Sequence, residues 1–149
     1  MKKVLTSIFL SLSILSFSQT EQDYRVFQLL NQERVDRKLP TFTLKENYKD
    51  FDYYINYSLR VDTASEKEVN RYIGQVNNFI DVYYTDADMV YYAGVSNKTQ
   101  PTPKSLLNTL IQNSNFPVID CYNNYALTKM FYYKLGDRWV SFIYILTFR

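Results

Sequence analysis

Apolar positions recur at three- and four-residue steps from Glu21 to Lys38, through Val26, Phe27, Leu30 and Arg34 with Val35 nearby. That spacing predicts an amphipathic helix, ended by Leu39-Pro40 because proline disfavours helical backbone in the residue before it. A second helical stripe begins near Lys45, with Tyr48, Phe51, Ile55 and Leu59 on one side and Lys49, Asp50, Asn56 and Arg60 on the other. Ser65-Glu66-Lys67-Glu68 has the form of a capping box and predicts a short helix to about Tyr72, before Gly74. Two β-prone runs follow, Phe79 to Tyr84 and Met89 to Val95, separated by the turn-forming Thr85-Asp86-Ala87-Asp88. Thr102-Pro103 then offers a cap and a first-turn proline for a helix with the stripe Leu106, Leu107, Leu110 and Ile111. Tyr125 to Tyr133 and Trp139 to Phe148, joined through Leu135-Gly136-Asp137, predict a closing β-hairpin. With helices first, a hairpin last and a mixture between, the expected class is α+β, helices packed on an antiparallel sheet.

The first 18 residues follow a different pattern: basic Lys2 and Lys3, an apolar run from Val4 to Leu15, then small Ser16 and Ser18. This is the layout of a cleavable export signal. Interruption by Ser7, Ser11 and Ser13 leaves the run short of the about 20 apolar residues a membrane span needs. The expected product is a secreted or periplasmic single domain of residues 19–149, with no stable membrane anchor after cleavage.

Cleavage changes the charge. The full chain has 17 basic and 15 acidic residues, net +2. The signal holds two of the basic ones, so the remainder is 15 minus 15, formally zero. Nucleic-acid binding rests on clustered Lys and Arg, and no such excess exists. Cys121 is the single cysteine, so stability is expected from packing and not from an internal disulfide. Fifteen Tyr and ten Phe against three Gly argue against disorder and suit half-buried positions, with rings packed and hydroxyls wet.

Leu29-Leu30-Asn31-Gln32-Glu33-Arg34, then Leu39-Pro40 and Thr43-Leu44, resembles the opening of the CAP superfamily, the SCP-like extracellular domain. That family begins with a helix bearing an apolar-Asn-x-x-Arg pattern, a turn and a second helix. The resemblance implies a secreted α-β-α sandwich. Family members with a functional cleft place two His and two acidic residues there, and some hold a divalent metal through the His pair. This chain has no His. Phe116 falls at one histidine position, and Asp88 falls where the family has the Glu of a Gly-Glu-Asn-Ile run. Asp88 and Phe116 are thus the candidate cleft residues of a degenerate member.

Absence of His excludes Ser-His-Asp triads, Cys-His pairs and His-based zinc sites. Cys121 beside Asp120 is a poor nucleophile, because a neighbouring carboxylate raises a thiol pKa. Asp50 with Asp52 and Glu66 with Glu68 point apart on helices. Asp81, Asp86 and Asp88 form the one cluster that a hard cation could use, although turn-forming aspartates explain them as well. No catalytic residue and no cofactor is expected. The favoured function is a non-enzymatic binding or interaction domain, its partner a protein, glycan or apolar ligand. The alternatives are a carboxylate- or cation-dependent hydrolase and an envelope assembly protein using Trp139 to Phe148 as a sheet edge.

Overall fold

The computed structural model describes residues 21–45, 66–113 and 118–149. The export signal, the helix expected from Lys45, the Ser65 cap and Phe116 lie outside them. Helix α1 covers residues 21–36 and buries Val26, Phe27, Leu30 and Arg34 along one stripe. It ends in a left-handed residue, Lys38 at φ 60°. The Leu39 N–H donates back to the Arg34 carbonyl at 2.9 Å and the Lys38 N–H to Val35 at 2.9 Å. This double closure satisfies two terminal carbonyls before Pro40 turns the chain away. A two-residue strand, β1 (Thr43–Leu44), follows.

Helix α2 runs over Glu66–Tyr83, 18 residues, and corrects two expectations at once. The helix does not stop at Gly74, and Phe79 to Tyr84 is not a strand. Tyr72, Val76, Phe79 and Ile80 are buried whereas Asp81, Val82 and Tyr83 are exposed, which is a period near 3.6 and not an alternation. Aromatic and branched residues raised the strand propensity of that run, but packing of one helical stripe overrides propensity. Gly74 faces open space, so it interrupts no contact.

Strand β2 (Met89–Asn97) leads to α3 (Pro103–Asn113), whose start is closed reciprocally. The Ser105 N–H donates to Thr102 Oγ1 at 3.2 Å, and the Thr102 N–H donates to Ser105 Oγ at 3.0 Å. Strands β3 (Tyr125–Leu135) and β4 (Arg138–Phe148) form the closing hairpin. Gly136 has φ 61° at the first loop position, where a type II′ turn requires glycine.

The sheet order is β1-β3-β4-β2, with β1 parallel to β3 and the other pairs antiparallel. On one face α1 and α3 set Val26, Leu30, Leu106 and Leu110 against Met130, Ile143 and Ile145. On the other, α2 sets Tyr72, Val76 and Ile80 against Phe131, Phe142, Tyr144 and Leu146. The architecture is an α+β, α-β-α sandwich. Buried on both faces from Val140 onward, β4 is an interior strand, not the edge expected for an assembly role.

Candidate functional site

Strands β2 and β3 begin, and β4 ends, at the same end of the sheet: Met89 lies beside Thr147, and Tyr125 beside Phe148. Asp88 enters this end with its N–H on the Thr147 carbonyl at 2.8 Å. Its Oδ2 accepts from Asn123 Nδ2 at 2.9 Å, and its Oδ1 pairs with Arg149 Nε at 3.2 Å. The Asn123 amide chiefly holds the Asp88 carboxyl below its ordinary value; desolvation opposes it, and the Arg149 guanidinium adds a smaller lowering. Burial is the main reason that the Tyr91 phenol is pushed up, with the Cys121 thiol and the Asp88 carboxylate adding to it. Asn123 contacts the carboxylate, Tyr91 lies within its field, and Cys121, near Tyr91, is half-buried with its Sγ 3.4 Å from the Val118 carbonyl.

The segment carrying Asn123 is positioned by the first helix. Arg34 Nη1 donates to the carbonyls of Ile119 at 2.7 Å and Cys121 at 2.9 Å, and its Nε donates to Pro40. One helical turn earlier, Asn31 Nδ2 donates to the Phe42 carbonyl at 3.0 Å, and the Phe42 N–H returns a bond to Asn31 Oδ1 at 2.7 Å. Residues three apart share a helix face, so Asn31 and Arg34 act together: they hold the chain entering β1 and the chain entering β3.

Of the expected cation ligands, Asp86 pairs with Lys45 at 3.0 Å, Asp88 is engaged by Asn123 and Arg149, and Asp81 stands exposed on α2. Among the described residues no group of three or more His, Cys, Asp or Glu is placed to hold a metal ion. Nor is any described helix long and apolar enough to cross a membrane.

Comparison with protein-family models, curated proteins and solved structures gives no match to this chain.

Around the paired charges lie aromatic and apolar side chains facing water: Tyr122, 100% exposed, with Tyr83, Tyr125, Leu44, Met89 and Val90. Linear spacing does not reveal this surface, because Asp88 and Asn123 are 35 residues apart and Arg149 is the last residue. The one available signal was the tyrosine excess, which among the described residues supplies both core positions (Tyr72, Tyr84, Tyr91, Tyr144) and exposed ones, Tyr122 and Tyr125 at this end and Tyr24 and Tyr92 elsewhere.

Because the Asn123 amide holds the folded carboxyl of Asp88 below its ordinary value, the charged form favours the fold above that ordinary value, and the contribution is lost as pH falls through the folded midpoint. Carboxyl NMR should give a midpoint below 3.8 for Asp88, and Asn123→Ala should move it upward. An unchanged midpoint in that variant means the amide is not what lowers it.

Proposed function

We propose that this chain is an exported, non-enzymatic binding domain with a degenerate CAP-like fold, taking a protein, glycan or apolar ligand on the tyrosine-rich end of its sheet. The observation that carries the reading is the state of Asp88, the residue aligned with the family's cleft Glu. Both its oxygens are engaged and its carboxyl is held low, whereas a general base works best with a pKa near the working pH. No histidine exists to take over the proton. The family assignment itself draws support from Asn31 and Arg34, the motif residues, which clamp backbone as a fold-defining pair would.

The surface suits such a role. Its charges are neutralised in pairs, Lys45 with Asp86 and Arg149 with Asp88, which disfavours a strongly charged ligand. Exposed tyrosines supply large contact area at low entropy cost and can stack on sugar rings or pack against apolar side chains. The test is calorimetric titration of residues 19–149 against panels of oligosaccharides, peptides and fatty acids. Saturable binding should weaken by at least about tenfold in Tyr122→Ala/Tyr125→Ala, the loss of one modest hot spot, with thermal stability unchanged. Hydrolysis of a peptide or ester panel, abolished by one substitution, would overturn the reading.

A further inference from the structure

We propose that β2 is a self-association edge, at which two copies of this chain join antiparallel about a two-fold axis passing beside Tyr92. The two edges of the sheet are built differently. Beyond β1, the outer edge of β3 is closed by the start of α1: Asp23 Oδ1 accepts from the Met130 N–H at 2.7 Å, and Thr128 Oγ1 donates to the Asp23 carbonyl at 2.7 Å. Among the described residues the β2 edge has no such cover. Among the described residues β4 pairs one side of β2 and no strand pairs the other.

Natural edges are protected by charge, proline, bulges or short length. β2 has none of these. Its nine residues, Met-Val-Tyr-Tyr-Ala-Gly-Val-Ser-Asn, include no charge and no proline, and the register with β4 is unbroken from Met89 to Asn97. Among the described residues only the far end is occupied, where Arg138 donates to the carbonyl and hydroxyl of Ser96. The open run is therefore residues 89–95, which span about 24 Å at the usual strand rise.

A second copy fits this run better than an unrelated strand, because the run is complementary to itself. Its centre is Tyr92, so antiparallel pairing places Tyr92 opposite Tyr92, Val90 opposite Gly94, and Met89 opposite Val95. Tyr92 is 56% exposed and already stacks on Tyr144, with centroids 5.7 Å apart and planes at 19°. Meeting its own copy extends that stack across the axis, a favourable cross-strand pair. Gly94 has no side chain, and the Phe142 ring lies within 2.8 Å of where a Cβ would stand. Val90 of the second copy packs onto that ring. With residues 19–149 formally neutral and the edge uncharged, no repulsion opposes the approach. Because β3 is guarded, the pairing closes at two copies instead of propagating.

Sedimentation equilibrium of residues 19–149 from about 1 to about 300 µM, the range suited to an interface of modest size, should show a monomer–dimer equilibrium. Tyr92→Lys sets two ammonium groups opposite each other and should weaken the dimer by at least about 100-fold while far-UV circular dichroism is unchanged. In a Cys121→Ser background, Tyr92→Cys should form a disulfide-linked dimer on mild oxidation, since residues directly opposite bring Cα atoms to about 4.5–5.5 Å. Val82→Cys, exposed on α2, should not. A monomer at every concentration overturns the proposal. So does a dimer that withstands Tyr92→Lys, or one that the Tyr92 cysteine fails to trap.

Discussion

Replacing Arg34 with Met is expected to destabilise the protein by about 3–5 kcal/mol, because it strips a shared donor from several carbonyls inside the fold. The side chain is 3% exposed and donates to the carbonyls of Pro40, Ile119 and Cys121, with its guanidinium 4.0 Å over the Phe42 ring. Methionine refills much of the stem volume but has no donor. The three carbonyls lose their donor inside the fold, at about 1–3 kcal/mol for each that water cannot reach. Arg34→Lys keeps the charge and loses the planar fork, so it should recover less than half of the deficit. Urea unfolding measures both. The same substitution should raise the Asp88 midpoint, because Asn123 sits in the segment that Arg34 fastens. A cost below about 1 kcal/mol would mean that the clamp is dispensable.

That clamp shows where linear pattern and three-dimensional role part. The helical stripe Val26, Leu30, Arg34 was legible, and so were the Thr102 cap and the Gly136 turn, because each signal is local and unopposed. Arg34 stood in the sequence as one position of an amphipathic face and as the Arg of the apolar-Asn-x-x-Arg pattern, neither of which names what it holds. Two of its three carbonyl partners lie 85 and 87 residues away, and no spacing announces them. At Phe79 to Tyr84 two local signals conflict, strand propensity and helical period, and the period prevails because Phe79 and Ile80 have a sheet face to cover. The interior position of β4 was readable in principle: Val140, Phe142, Tyr144 and Leu146 alternate with Ile143 and Ile145, so both faces are apolar. The open character of β2 is also written in its residues, as a lack of charge and proline, but strand order is needed before that lack has a consequence.

Asp23→Asn should likewise cost about 3–5 kcal/mol, and for a reason that a double-mutant cycle can isolate. Asp23 and Lys129 are 9% and 4% exposed, with Oδ2 and Nζ 3.0 Å apart. The amide of Asn is nearly isosteric and its oxygen can still accept from the Met130 N–H, but the carboxylate charge 3.0 Å from Lys129 Nζ is removed. Lys129→Met leaves the Asp23 carboxylate without the Lys129 cation and should be destabilising as well, whereas the double variant removes both charges. The double variant should then be more stable than Asp23→Asn alone, with a coupling of at least about 2 kcal/mol. Additive losses would show that the ion pair contributes no more than packing. Asp23 also closes the outer edge of β3 through Met130 and Thr128. Asp23→Ala, which removes the Oδ1 acceptor outright, leaves a second strand edge poorly covered beside an open β2. Two open edges on opposite sides of one sheet make a contact that need not close. This variant is therefore expected to sediment as species larger than a dimer, and adding Tyr92→Lys should return it toward smaller ones by charging the β2 side.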